Sequence, residues 1–321
     1  MGIDPAIKPR ILFFGTPDFA VCCLQELLAN DFSVVGVVTS PDRPAGRGKK
    51  IKASAVKEFA MAKGLNVLQP THLKAPSFIQ SLQALNSDVA VVVAFRMLPK
   101  IVWSLPKWGT FNLHASLLPQ YRGAAPINWA LVNGEAESGV TTFFIDEKID
   151  TGAILLQEKI QLNTTETAGS LHNRLAILGS KLIIKTIVGL QKGNLMPQAQ
   201  TNPPKLLAAP KLDKENTRIP WNKPLVAIQN FVRGMNPYPG AWCILTTTEG
   251  EEFIMKLFEV EIFYIEHSYP TGTLVVEDKQ IRIAHPEGWV NCTLLQLPNK
   301  RRMRAADLLN GYRFHKKSLI N

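Results

Sequence analysis

Apolar runs alternate with amphipathic stretches through the first half of the chain. The apolar runs that predict strands are at residues 10–15, 33–38, 66–68 and 88–94. Three stretches predict helices: one that ends near residue 28, one at 53–63 and one at 76–86. Continuous apolar strands separated by helices are typical of a parallel sheet covered on both faces. We therefore predict an α/β fold, a doubly wound and mostly parallel sheet of Rossmann-like type, over residues 1–191, ending in a helix at 167–191.

The pattern changes after residue 191. Residues 192–210 are rich in Gln, Asn, Pro and Lys without periodicity, which predicts a linker. Beyond it a helix is predicted at 223–233, and short apolar runs predict strands at 262–265, 272–276, 280–284 and 290–295. This pattern predicts a small C-terminal β-barrel over residues 211–321, although periodicity alone does not separate an OB-like barrel from other small barrels.

Polar side chains stand at the ends of two predicted strands. In residues 111–114, Asn112 and His114 face the same side, because side chains alternate along a strand. Asp150 follows the strand predicted at 139–145. A carbonyl-polarising amide, a proton carrier near neutral pH and an orienting carboxylate together suit acyl transfer. Taken singly, however, a His is more often a satisfied rim residue and an Asn a turn cap.

The segment that follows His114 favours the catalytic interpretation. Residues 115–126 carry two prolines, Gly123 and Arg122, a composition typical of a rigid irregular loop. Such a loop at the carboxyl end of a parallel strand is where α/β sheets bind ligands. A nicotinamide cofactor is disfavoured, because residues 15–19 hold one glycine where the dinucleotide fingerprint has three.

Five segments of the chain resemble the folate-dependent formyltransferases. They are residues 112–119 (NLHASLLP), 121–126 (YRGAAP), 150–152 (DTG), 15–20 (GTPDFA) and 41–50 (PDRPAGRGKK). The last two narrow the resemblance to the members that formylate a methionyl-tRNA. The resemblance covers nearly the whole chain, is strongest from about residue 10 to 155 and is looser beyond 205.

The resemblance implies a reaction and a set of site residues. It implies 10-formyltetrahydrofolate as the formyl donor, the α-amino group of initiator methionyl-tRNA as the acceptor, no metal, and an OB-like, tRNA-binding C-terminal barrel. Asn112, His114 and Asp150 are the implied catalytic residues. The folate is expected along Ser116, Leu117, Leu118 and Pro119. The chain departs from the family pattern at residues 94–99, which are expected to wall the folate pocket.

Charge points to a polyanionic partner. The formal net charge is +10, which in an evenly basic protein means little more than solubility. Here the cations cluster in two segments, Arg43, Arg47, Lys49, Lys50 and Lys52 in one and Lys300, Arg301, Arg302 and Arg304 in the other. We predict that Arg43, Arg47, Lys49 and Lys50 bind tRNA, with Arg47 the foremost.

The cysteines and the apolar runs indicate the cellular compartment in which the protein is expected. Cys22, Cys23, Cys243 and Cys292 lack metal-ligand spacing, which fits a reducing compartment. The apolar run at 11–14 is too short for a signal peptide or a membrane span. We expect a cytoplasmic monomer without a membrane partner.

Two alternative functions stay open from the sequence. One is a formyltransferase that acts on a small amine, either glycinamide ribonucleotide or an amino sugar nucleotide, because the three polar residues would serve it equally. The other is a non-catalytic nucleic-acid-binding module on a relic enzyme fold.

Overall fold

The computed structural model describes residues 8–45, 50–201, 203–315 and 318–320. Within these ranges the chain forms two compact units. The first draws on the described residues up to 123, on 137–160 and on those between 172 and 208, and the second on 124–136, 161–171 and the described residues from 209 onward. Domain boundaries at 191 and 210 stay a prediction.

The helices and strands that begin before residue 200 largely follow the predicted order. They are β1 (Arg10–Gly15), α1 (Asp18–Ala29), β2 (Ser33–Val38), β3 (Arg43–Ala45), β4 (Lys50–Lys52), α2 (Ala55–Ala62), β5 (Val67–Leu68), α3 (Pro76–Ala84), β6 (Val89–Val93), α4 (Lys100–Trp103), β7 (Thr110–His114), β8 (Arg122–Gly123), α5 (Pro126–Val132), β9 (Glu137–Phe144), β10 (Ile154–Gln161) and α6 (Ala168–Lys192).

A doubly wound sheet organises the first unit. Among the described residues its strand order is β10-β9-β7-β6-β1-β2-β5. Strands β7, β6, β1, β2 and β5 run parallel, and β9 is antiparallel to β7. The chain winds outward from β1 in both directions, so the carboxyl ends of β1, β6 and β7 meet at one edge of the sheet. The predicted α/β fold is confirmed, and His114 is the last residue of β7 at that edge.

The remaining elements begin beyond residue 200, and all of them except the first residue of β11 belong to the second unit. They are β11 (Ala208–Ala209), a 3-10 turn (Glu215–Thr217), α7 (Leu225–Met235), β12 (Ala241–Thr246), β13 (Glu252–Phe263), β14 (Leu274–Glu277), β15 (Gln280–His285), β16 (Gly288–Gln296), β17 (Met303–Arg304), α8 (Ala305–Leu309) and β18 (Leu319–Ile320).

An antiparallel sheet curls into the predicted barrel. Its described strands follow the order β14-β15-β16-β13-β12-β18. The sheet closes because Leu274 donates its N–H to the Ser318 carbonyl at 2.9 Å, and Ile320 donates to the Gly272 carbonyl at 2.8 Å. Gly272 has φ +83°, and a Cβ there would lie 2.6 Å from the Ile320 oxygen, so only glycine fits this closure.

Two segments differ from the prediction. The strand predicted at 262–265 is wrong in extent, because residues up to Phe263 belong to the long β13 and residues 264–265 lie outside any strand. Lys256, Glu259 and Glu261 interrupt the apolar signal of β13, although a barrel strand has one wet face. No strand is predicted in the basic segment that follows β2, yet it contains the antiparallel strands β3 and β4. No helix in the described ranges is long and apolar enough to cross a bilayer.

Candidate active site

His114 is buried at the carboxyl end of β7 with 6% of its surface exposed. Its Nε2 lies 2.8 Å from the carbonyl oxygen of Tyr121. A carbonyl oxygen only accepts, so Nε2 carries a proton and donates it to this bond. Nδ1 is then the ring nitrogen left to take up or release a proton, and the neutral ring offers a lone pair there.

Asp150 reaches His114 from the turn between β9 and β10. Its Oδ2 lies 3.9 Å from Nδ1 of His114 and accepts the N–H of Gly123 at 2.9 Å. The separation is too long for a direct hydrogen bond but short enough for Coulomb attraction to a proton on Nδ1. The turn is tight, because a Cβ at Gly152 would lie 1.7 Å from the Phe144 oxygen, and Asp150 adopts a left-handed conformation with φ +55°.

Asn112 lies two residues before His114 on β7, between Val92 of β6 and Phe143 of β9. It is half-buried, whereas its neighbours Phe111 and Leu113 are buried. Its side chain has no hydrogen-bond partner within the described ranges. The carboxamide NH2 is therefore free to donate to a ligand on the face of the strand that it shares with His114.

The loop after His114 is held by hydrogen bonds from β9 and β10. Thr141 Oγ1 donates to the Ser116 carbonyl at 2.7 Å and accepts the Leu118 N–H at 3.1 Å. Gln157 Nε2 donates to the Leu118 carbonyl at 2.8 Å and to Thr141 Oγ1 at 2.9 Å. One buried hydroxyl and one amide thus fix three consecutive peptide groups. The sequence did not point to Thr141 or Gln157, because Thr and Gln in strands carry no distinctive signal.

The four residues predicted to bind folate differ in accessibility. Ser116 and Leu118 are buried with 1% and 3% exposed, and the Ser116 hydroxyl donates to the Gln120 carbonyl at 2.7 Å. Leu117 and Pro119 are partly exposed. A flat ligand along this loop would therefore touch Leu117 and Pro119, while the other two side chains support the loop from beneath.

The basic segment after β2 is partly described. Strands β3 and β4 pair antiparallel, with Arg43 opposite Lys52 and Ala45 opposite Lys50. Arg43 is exposed. The predicted tRNA-binding residues Arg47 and Lys49 lie outside the described residues, as does the side chain of Lys50.

Arg96 belongs to the segment that departs from the family pattern. Its guanidinium donates to the Thr71 carbonyl at 3.1 Å and also to the Pro70 carbonyl, so it is anchored at the sheet edge. Burial lowers the pKa of Arg96, and the positive charge of Arg43 lowers it further. Arg96 and Arg43 therefore form a region of positive potential near the carboxyl end of β6.

Two arginines of the second basic cluster, residues 300–304, contact other residues of the barrel. The guanidinium carbon of Arg302 lies 3.6 Å from the centroid of the Phe258 ring, and Nη2 donates to the Pro237 carbonyl at 2.7 Å. Arg304 pairs with Glu259 at 2.7 Å. These two cations thus have structural partners within the unit.

A cavity of about 440 Å³ opens along the Asp150 turn. It is lined by Arg122, Asp146, Glu147, Lys148, Thr151 and Gln200. Sequence reasoning missed Gln200, which lies in the segment predicted to be a linker.

The geometry defines a buried imidazole, a facing carboxylate and a free amide at the carboxyl edge of an α/β sheet, which is the arrangement of a group-transfer enzyme. Two family models match the chain, formyl transferase over residues 9–187 and the formyl transferase C-terminal domain over residues 211–313. The chain belongs to the formyltransferase family.

The relatives narrow the assignment within this family. A protein of Flavobacterium johnsoniae named methionyl-tRNA formyltransferase is 52% identical over 96% of this chain and 97% of the relative. One of the same name from Bacteroides thetaiotaomicron is 48% identical over 95% and 96%. The chain is thus a formyltransferase-family enzyme of the methionyl-tRNA formyltransferase group.

A more distant solved structure shares the fold alone. It is an N-formyltransferase from Helicobacter canadensis in complex with folinic acid and dTDP-3-aminofucose. Its TM-score is 0.63 at 20% identity, covering 88% of this chain and 98% of that one.

Proposed function

We propose that the chain transfers the formyl group of 10-formyltetrahydrofolate to the α-amino group of initiator methionyl-tRNA, giving N-formylmethionyl-tRNA for translation initiation. The single observation that carries the proposal is the facing pair of His114 Nδ1 and Asp150 Oδ2, 3.9 Å apart, on the strand edge that also bears the free amide of Asn112. The 52% identical relative supports the choice of acceptor.

In the proposed mechanism Asn112 acts on the developing negative charge. The amine adds to the formyl carbon, a new C–N bond forms, and the carbonyl oxygen becomes an oxyanion. The unpartnered NH2 of Asn112 donates to this oxygen. One such donor is typically worth about 10²–10³ in rate, because it acts on charge that is absent from the ground state.

His114 and Asp150 handle the proton. Since Nε2 donates to Tyr121, Nδ1 takes the proton released by the attacking nitrogen. The carboxylate of Asp150 stabilises this proton across 3.9 Å. The bond from the formyl carbon to N10 of the donor then breaks, and the proton passes to N10, so atoms and charge balance. General acid–base catalysis of this kind contributes roughly 10²–10⁴ in rate.

Substrate binding is divided between two regions of the chain. We infer that the donor lies along residues 116–119, with Leu117 and Pro119 in contact and Ser116 and Leu118 supporting them. Arg43, Arg47, Lys49 and Lys50 are the inferred phosphate contacts, which position a nucleic acid without reading its bases.

A small-amine acceptor is the main competing function. The Asn112, His114 and Asp150 set would serve it equally, and the likeness to a sugar N-formyltransferase at 20% identity concerns the fold. The basic hairpin and the C-terminal barrel favour tRNA, because a small acceptor needs neither. We also propose a cytoplasmic location, because initiator tRNA is used there in translation, and a monomeric state.

One experiment tests the acceptor directly. The purified protein is incubated with 10-formyltetrahydrofolate and, in separate reactions, with methionyl-tRNA, glycinamide ribonucleotide or an amino sugar nucleotide. We expect formylated product from methionyl-tRNA alone. Formyl transfer to a small amine only would overturn the tRNA assignment, and no transfer to any acceptor would favour the non-catalytic binding module.

A further inference from the structure

The carboxamide of Gln200 lies across the turn that carries Asp150. Its Nε2 donates to the Asp150 carbonyl at 3.0 Å and to the Gly152 carbonyl at 2.8 Å. The two hydrogens of one amide thus join both ends of a three-residue turn. The left-handed φ of +55° at Asp150 is uncommon for a residue with a Cβ, and such conformations persist where the surroundings hold them.

Arg122 fixes the orientation of this amide. Arg122 donates to Oε1 of Gln200 from Nε at 3.1 Å and from Nη2 at 2.7 Å. Exchanging the oxygen and nitrogen of the amide would set an NH2 group against the guanidinium and leave two carbonyl oxygens without donors. The amide therefore has one orientation that satisfies all of its partners.

The hydrogen bonds close a ring around Asp150. Arg122 holds Gln200, Gln200 holds the main chain of Asp150, and the Asp150 carboxylate accepts the N–H of Gly123, the residue after Arg122. Gln198 brings Gln200 to this place, since its N–H and carbonyl pair with those of Ile154 at 2.8 Å each. A residue fifty positions along the chain from Asp150 thus belongs to the active-site turn.

We propose that Gln200 is a positioning residue for formyl transfer, which together with Arg122 keeps the Asp150 carboxylate facing Nδ1 of His114. The inference rests on the proposed role of Asp150 in the reaction. Gln200 touches neither substrate in this role, so its loss misplaces a catalytic group without removing one.

The first test compares two neighbouring glutamines. Gln200→Ala lowers kcat for formylation of methionyl-tRNA by roughly 10- to 100-fold, because a small misplacement of a catalytic group is costly. KM for both substrates stays near the wild-type value, since the missing interaction serves the transition state. Gln198→Ala is the matched control, because its side chain is exposed and only its backbone is bonded, and it leaves kcat unchanged.

Two further variants separate the donor role from other roles of Gln200. Gln200→Glu keeps an acceptor for Arg122 but removes both N–H donors, so we expect a kcat as low as that of Gln200→Ala. Gln200→Met keeps the volume of the side chain without any N–H donor, and we expect the same low kcat. It takes the place of Gln200→Ala if the alanine variant is unstable. Wild-type kcat in Gln200→Glu would overturn the proposal.

A double-mutant cycle asks whether Gln200 acts through Asp150. In an Asp150→Asn background, Gln200→Ala is expected to cause little further loss, because the carboxylate it positions is already gone. A merely structural role would lower kcat by the same factor in both backgrounds, and that result would overturn the inference.

The failure of this inference is distinguishable from failure of the proposed function. A wild-type protein that forms no formylated methionyl-tRNA would overturn the proposed function. Full kcat in Asp150→Asn would leave the function standing but would overturn the role of Asp150, and the positioning role of Gln200 with it. An active wild type with a slow Asp150→Asn and a fully active Gln200→Ala would overturn the positioning role alone.

Discussion

The candidate active site has two halves that are built in different ways. Asn112 and His114 project from β7, which pairs with β6 on one side and β9 on the other, so a ladder of backbone hydrogen bonds fixes their positions. Asp150 projects from a turn, and the bonds that hold it come from Gly123 and Gln200. The strand half is positioned by regular structure, and the turn half by a few hydrogen bonds from distant segments.

This difference predicts how each half responds to substitution. In the strand half, removing a side chain removes a reacting group and leaves the backbone in place, because paired neighbours hold the strand. In the turn half, a change that touches no reacting group can still move the carboxylate. In the strand half, only substitutions of Asn112 and His114 themselves should therefore lower kcat. In the turn half, substitutions of several supporting residues should lower kcat as well.

The largest effect is expected for His114→Ala. The change removes Nδ1, the proton carrier, and should lower kcat by roughly 10²–10⁴ while tRNA affinity stays nearly unchanged. Steady-state formylation and a separate tRNA-binding titration measure the two quantities. His72→Ala, at an exposed His of the same unit, is the control. Wild-type turnover in His114→Ala would mean that His114 is not the proton carrier of the reaction.

The second effect is expected for Asn112, the other residue of the strand half. Asn112→Asp keeps the size of the side chain but replaces its N–H donors with acceptors, so kcat should fall by about 10²–10³. Asn112→Ala should reduce kcat by a similar factor. The same change at the exposed Asn66 controls for the added charge. An active Asn112→Asp enzyme would mean that donation to the oxyanion is not the role of this residue.

The strand half could be predicted from the sequence because its determinants are local. The apolar runs at 10–15 and 33–38 coincide with β1 and β2 at both ends. Alternation along residues 111–114 gave the shared face of Asn112 and His114, and Phe111 and Leu113 are buried as that pattern requires. The barrel was predicted from its turns and short apolar runs, although β13 extends far beyond the predicted segment.

The turn half could be predicted only in part, because its determinants are long-range. The resemblance implied Asp150, but no local pattern indicates that a glutamine in an aperiodic, Pro- and Gln-rich stretch supports it. The same holds for Thr141, whose hydroxyl holds the Ser116 and Leu118 peptide groups from another strand. Such interactions depend on which strands become neighbours, and spacing along the chain does not encode that.

Thr141→Val extends the contrast to the folate loop. Valine has the same shape but leaves the buried Leu118 N–H and Ser116 carbonyl without this partner, which costs about 1–3 kcal/mol of the free energy of unfolding. We expect a lower denaturation midpoint and a raised KM for 10-formyltetrahydrofolate, because the loop is less fixed. Thr164→Val, at an exposed threonine, is the control. A stable variant with an unchanged folate KM would show that the loop is held without Thr141.

The smallest effect is expected in the basic hairpin, which contributes to neither half. Arg43→Ala removes an exposed cation, so KM for methionyl-tRNA should rise while kcat at saturation stays unchanged. The slope of log Kd against log salt concentration should become shallower by about 1 for each phosphate that the variant no longer neutralises, and Arg47→Ala should behave in the same way. Lys63→Ala removes an exposed cation at the end of α2 and controls for net charge. An unchanged salt slope in both arginine variants would rule out the hairpin as a phosphate-binding element. A lowered kcat would mean that the hairpin also affects the catalytic step, together with the strand half and the turn half.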